Sequence, residues 1–171
     1  LRNINFNHSQ DVYASIVASP RFGWYNPMAE IDYSQSFLHT DGFDINKPSN
    51  RPCFNFRLNN RFNITRSLKA FLNMRYKTSQ LNDLQYTKPF ARVDVKLTKS
   101  FLNDALEIGV YANDLFKTDK ERWTMYGSHT IMTKDCYGYE RCIGMTVSYN
   151  FNTAKSKYKG TGAGNAEKRR L

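Results

Sequence analysis

Ile143-Gly144-Met145-Thr146-Val147-Ser148-Tyr149-Asn150-Phe151 alternates without a fault: every odd position is apolar or aromatic, every even one small or polar. Successive side chains of a strand point to opposite faces, so this segment predicts a strand with one greasy and one wet side. A wall that is greasy outside and wet inside is the pattern of a transmembrane β-barrel.

The same period runs through the chain. Val12, Ala14, Ile16 and Ala18 are in phase over Val12–Ala18, and Ala29, Ile31, Tyr33 and Phe37 face Glu30, Asp32, Ser34 and Ser36. Phe54, Phe56, Leu58 and Phe62 face Asn55, Arg57, Asn59 and Arg61; Leu68, Ala70, Leu72, Met74 and Tyr76 face Lys69, Asn73 and Arg75. Ala91, Val93, Val95 and Leu97 face Arg92, Asp94, Lys96 and Thr98; Leu106, Ile108, Val110 and Ala112 face Glu107, Gly109, Tyr111 and Asn113. Ile4 and Phe6 are in phase at the end of a further strand. Gln35 and Asn60 break the apolar register, and Phe71 breaks the polar one. No segment repeats its apolar residues at three and four apart, so no long amphipathic helix is expected. The fold class is all-β: an antiparallel up-and-down meander of about eight long strands forming part of a transmembrane β-barrel. The strands run to about ten to thirteen residues against the five or six common in globular proteins, and that excess argues against a soluble sandwich.

Connections at Pro20–Asn26, Asn63–Thr65 and Ser100–Asn103 are short, and those at His39–Arg51, Lys77–Lys88 and Lys117–Tyr139 are long. Short and long alternate, as in barrels with short periplasmic turns and long outer loops. The last strand then finishes at the short-turn end, where Phe22, Trp24, Tyr25, Phe62, Phe101, Tyr149 and Phe151 gather as an interfacial girdle. Arg122–Thr133 has strand-like composition inside a long connection and is expected to be a hairpin arm beyond the membrane. Domain organisation is read as a barrel portion over residues 1–151 and a basic flexible periplasmic tail over 152–171.

Composition bounds the alternatives. The chain has 171 residues, 40% of them hydrophobic and 15% aromatic, with a formal net charge of +10. Mean hydropathy is −0.65, compatible with a barrel because a barrel lining is polar. No run approaches the roughly 18 apolar residues that a spanning helix needs. Positive charge is spread over many strands and piled up in the tail at Lys155, Lys157, Lys159, Lys168, Arg169 and Arg170. Without a recognition helix, that distribution does not point to nucleic acid. Of three cysteines, Cys136 and Cys142 are close enough in sequence to bridge in an oxidising compartment, and free thiols are the simpler reading. The cysteine spacing does not suggest structural zinc.

Lys99-Ser-Phe-Leu-Asn-Asp-Ala-Leu-Glu-Ile-Gly-Val-Tyr-Ala-Asn-Asp-Leu-Phe116 resembles the penultimate hairpin of TonB-dependent outer-membrane receptors, with Asn113-Asp114-Leu115-Phe116 similar to their Asn-Leu-Phe signature. Tyr149-Asn150-Phe151 and the basic tail to Leu171 resemble the C-terminus of receptor-like outer-membrane β-barrel proteins. The resemblance implies a parent with a 22-strand barrel, an N-terminal plug and a segment contacted by TonB. It implies energy-coupled import of a scarce nutrient by that parent, in the cell outer membrane. It also implies that Tyr149 and Phe151 belong to a barrel-assembly signal. The expected partners are outer-membrane lipid, the remaining strands and plug of the parent and, for the parent alone, the TonB system. A free-standing eight-strand outer-membrane barrel binding ligands through its loops, and a soluble β-barrel binding protein, are the alternatives.

Candidate lumen-facing residues are Arg57, Arg61, Arg75, Arg92, Asp94, Lys96 and Glu107. They either line a solute path or form a mutually paired wall. Phe43, Tyr86, Trp123, Tyr126, Tyr137 and Tyr139 in the long connections either stack on a ligand or pack loops together. Gly160–Asn165 is glycine-rich, but too little chain follows to build the helix a phosphate loop opens. His8, His39 and His129 fall at unrelated places, so no catalytic residues, metal ligands or cofactor site are assigned and no enzyme is expected.

Overall fold

The computed structural model describes residues 8–39, 48–137 and 141–151. The strand end expected around Ile4 and Phe6, the tail 152–171 with Gly160–Asn165, and Phe43 and Tyr139 lie outside the described residues. Among the described residues there are eleven strands: β1 (His8–Ala18), β2 (Tyr25–His39), β3 (Cys53–Asn63), β4 (Leu68–Lys77), β5 (Gln80–Asn82), β6 (Gln85–Thr87), β7 (Phe90–Phe101), β8 (Leu106–Asn113), β9 (Lys120–Tyr126), β10 (Ile131–Tyr137) and β11 (Cys142–Tyr149). They form two antiparallel sheets. The larger has seven strands in the order β1-β2-β3-β4-β7-β8-β11, and the smaller has four in the order β10-β9-β6-β5. With the two inserted hairpins set aside, the larger sheet is an up-and-down meander. It is not closed, and the outer edges of β1 and β11 have no partner among the described residues.

Register explains why alternation dictates this wall. Antiparallel partners share a face. One row therefore runs Ile16–Ile31–Phe56–Tyr76–Ala91. Another runs Ala70–Leu97–Val110–Met145, and a third Leu72–Val95–Ala112–Ile143. These rows form one apolar face, and it is not sealed. Ile16 is 74% exposed, Ile143 74% and Val147 60%, whereas the polar Asp32, Ser36, Asn60 and Thr98 are buried. Each large apolar side chain moved from water to an apolar medium gains about 1.5–3 kcal/mol, so an open face of this size calls for hydrocarbon.

The register exceptions are satisfied locally. Asn60 stands on the apolar face, where it accepts a bond from the Tyr25 hydroxyl at 2.7 Å and donates to the Leu72 carbonyl at 3.1 Å. Gln35 accepts from the Tyr33 hydroxyl at 2.6 Å. Phe71, on the polar face, lies beneath the Arg61 guanidinium with 6.0 Å between them.

Aromatics mark both margins of the apolar face. At the short-turn end Tyr25 stacks on Phe62 at 4.9 Å, beside Trp24 and Phe22. Toward the other end Tyr33 meets Phe54 edge-on at 5.5 Å, and Phe56 neighbours Tyr76. Tyr25 and Tyr33, like Phe54 and Phe62, are eight residues apart, which is about 27 Å along a strand, or about 20 Å along the normal of a membrane at a tilt of about 40°.

The short connections have local causes. Gly23 takes a left-handed φ of 68° before β2. Thr65 Oγ1 accepts from the backbone of Ser67 and Leu68, pinning the β3–β4 turn. Leu102, Asn103 and Asp104 all have positive φ between β7 and β8, a conformation Asn and Asp tolerate better than most residues. The Arg122–Thr133 arm is the β9–β10 hairpin. The long Lys77–Lys88 connection folds into the β5–β6 hairpin, for which no strand is read from the sequence. β6 then pairs with β9, so the two long connections join into one outer sheet. β5 lies against β2, and Leu81 is buried, as are Leu38 and Cys53.

Candidate functional site: the polar face and the outer sheet

On the polar face the row through the middle of the wall is Val17–Glu30–Arg57–Arg75–Arg92. Three arginines stand directly opposite one another on β3, β4 and β7. Like charges so placed repel, and flanking carboxylates offset the repulsion. Arg57 pairs with Glu30 at 2.5 Å and with Asp32 at 2.8 Å, and Arg92 pairs with Asp94 at 2.9 Å and with Asp119 at 2.8 Å. Arg75, in the middle, has no carboxylate partner among the described residues. Its Nε donates to Asn55 Oδ1 at 3.3 Å and its guanidinium sits 5.3 Å from the Phe90 ring.

Asp32 organises one side of this row. It accepts from Asn55 at 2.7 Å, Ser15 at 2.8 Å, Arg57 at 2.8 Å and the Tyr13 hydroxyl at 3.1 Å, so one carboxylate ties β1, β2 and β3 together. Asp114 organises the other side. It is fully buried with a φ of 48°, and its carboxylate accepts from the backbone N–H of Thr118 at 2.9 Å and of Asp119 at 3.2 Å. Its own N–H donates to Asp94 at 2.8 Å. The turn thus holds Asp119 where Arg92 meets it, and couples the end of β8 to the root of the outer sheet.

The structure divides the sequence-derived candidates into three groups. Arg57, Arg75, Arg92 and Asp94 come together and line a cavity of ≈ 370 Å³ with Asn59 and Asn73. Arg61 and Lys96 lie two rows nearer the short turns than the three arginines, on either side of Phe71. Glu107 stands apart between Ser100 and Ser148. All seven share the polar face. Asp32, Asp114 and Asp119 carry more of the network than the charge pattern alone suggested. The Asn113-Asp114-Leu115-Phe116 run was the one signal pointing to Asp114.

The last strand is held by shape as well as by its ladder. The Tyr111 ring lies across Gly144, its register partner, so that a Cβ placed on Gly144 would come within 2.5 Å of Tyr111 Cζ. Likewise a Cβ on Gly109 would meet Thr146 Oγ1 at 2.6 Å. Tyr149 and Phe151, the assembly-signal candidates, touch edge to face at 4.7 Å on the exposed end of this strand. Cys53, Cys136 and Cys142 are all free thiols.

Of the aromatics in the long connections, Tyr86, Trp123, Tyr126 and Tyr137 are strand residues of the outer sheet. Across the β9–β10 hairpin Glu121 pairs with Lys134 at 2.8 Å. That hydrogen bond holds the Glu121 carboxyl below its ordinary value of 4.5 and Lys134 above its own of 10.5. A lowered carboxyl contributes fully above pH 4.5, and its contribution fades as pH falls through the depressed value. Amide exchange in β9 and β10 should therefore be unchanged from pH 5 to 8 and accelerate modestly in acid beyond the intrinsic pH trend. A Glu121→Gln variant should lack that extra acceleration.

A family model described as outer membrane protein beta-barrel family matches residues 1–149. No curated protein and no solved structure matches the chain.

Proposed function

Because the chain belongs to the outer membrane protein beta-barrel family and is an outer-membrane barrel protein, we propose that it forms one stretch of wall in the larger barrel of a TonB-dependent receptor-like protein, whose whole imports a scarce nutrient. The open seven-stranded sheet carries this reading. The outer edges of β1 and β11 have no strand partner among the described residues, and in lipid each backbone group left without a partner costs several kcal/mol. Additional strands of a parent barrel would satisfy them. The likeness of Asn113-Asp114-Leu115-Phe116 to the receptor signature supports the same parent. In this orientation the short turns face the periplasm and the outer sheet stands above the membrane. The direct role of the chain is structural, and the paired charges from Glu30 to Asp119 keep a wetted lumenal wall rigid.

Expressed alone, the chain should aggregate on refolding into detergent. Within its full-length parent it should fractionate with outer membranes and migrate faster on gels before boiling than after. A monodisperse, heat-modifiable monomer from residues 1–171 alone would instead establish a free-standing small barrel and overturn the proposal.

A further inference from the structure

Where the outer sheet meets the margin of the apolar face, Lys117, Lys120 and Arg122 line a cavity of ≈ 460 Å³ together with Tyr76, Pro89 and Ala91. Tyr76 and Ala91 are register partners on the apolar face. None of the three cations has a carboxylate within ion-pair distance among the described residues. The nearby acids are engaged elsewhere: Asp119 holds Arg92 and Glu121 holds Lys134. Asp135 is the register partner of Arg122, yet they form no ion pair. The ammonium groups of Lys117 and Lys120 lie 5.0 and 4.9 Å from the centre of the Tyr137 ring, so one ring positions both side chains. Arg122 donates one Nη2 bond to the Pro89 carbonyl at 3.1 Å, while its Nε is buried without an acceptor among the described residues. A buried, charged donor left unpaired is costly and marks a place for an anion.

The cavity does not end at the cations. A second cavity of ≈ 390 Å³ shares Tyr76 and Ala91 and runs down the apolar face past Ile31, Phe56 and Val93. A cationic seat that shares its wall with an apolar groove matches an amphiphile rather than a free anion. We propose that Lys117, Lys120 and Arg122 seat the phosphate of a phosphorylated lipid of the outer leaflet, with an acyl chain lying along the Tyr76–Ala91 groove. The inference rests on the orientation proposed above, with the outer sheet on the external side.

The test uses the full-length protein extracted from outer membranes in mild detergent, with native mass spectrometry as the readout and diphosphoryl lipid A, its dephosphorylated form and inorganic phosphate as probes. The phosphorylated lipid should be retained and its dephosphorylated form should not. A Lys120→Gln/Arg122→Gln variant should lose about 30-fold in apparent affinity, the effect of removing two interfacial cations. The milder Lys117→Gln should lose about fivefold, which keeps the test decisive if the double variant fails to fold. Equal retention of both lipids, unchanged affinity in the variants, or displacement of the lipid by equimolar inorganic phosphate would each overturn the proposal. Heat-modifiable migration measured on the same samples reports the barrel separately, so losing lipid preference in a folded barrel sinks this inference alone.

Discussion

Gly144→Val should prevent β11 from seating on β8 and leave most of the protein unfolded on a gel run without boiling. A Cβ at Gly144 falls within 2.5 Å of Tyr111 Cζ and 2.9 Å of Cε1, inside the ring's van der Waals surface. Valine adds two further methyl groups to that collision. Relief requires either swinging the ring off its neighbour or breaking the Gly144–Tyr111 register, and overpacking of this kind costs about 1–3 kcal/mol. The effect on assembly is larger than on an interior pair, because β8 is the sole described neighbour of β11. Tyr111→Ala in the Gly144→Val background removes the obstacle and should restore most of the folded band. If the double variant folds no better than Gly144→Val, steric exclusion by Tyr111 is wrong and the glycine acts through backbone freedom alone.

Asp114→Ala should release the root of the outer sheet without dissolving the wall. The substitution leaves the N–H groups of Thr118 and Asp119 without their carboxylate acceptor in a site closed to water. It also forces alanine to a φ of 48°. Orphaned donors and a left-handed non-glycine residue together cost about 3–4 kcal/mol. Asp119 then loses its fixed position, and Arg92 keeps Asp94 but not its second carboxylate. Proteolysis of intact cells or detergent-solubilised protein should cut near Lys117–Lys120 at least tenfold faster than in the parent, while heat-modifiable migration persists. Asp114→Asn keeps one acceptor oxygen and tolerates the backbone angle, so it should lie close to the parent. Indistinguishable Ala and Asn variants would show that the carboxylate bonds do not hold this turn.

The wall was legible because a strand carries its two faces in alternate residues. That Ile16, Ile31, Phe56, Tyr76 and Ala91 share one face follows from period two, while their standing in one row is set by the strand offsets. Even the β9–β10 arm showed in the composition of Arg122–Thr133. β5 and β6 did not show, since each spans three residues, too few for a period to register. Their union with β9 brings Tyr86 to Thr124 across a long stretch of sequence, and no local pattern encodes such a pairing. The candidate charges were found as a face but not as a network. Sequence alternation places Arg57, Arg75 and Arg92 on the polar side, whereas the strand offsets decide that all three stand in one row and that Arg75 has no carboxylate partner among the described residues.

Alternation of apolar and polar residues by itself determined that this protein is an antiparallel wall with one face for hydrocarbon, because side-chain direction in a strand is a local property of the backbone. Tertiary structure alone decided which charges meet, that Asp114 and Asp32 are the hubs, and that three cations gather beside a lipid-facing groove. Those outcomes depend on register between strands and on the joining of two distant hairpins, where the position of one residue is set by another far away in the chain.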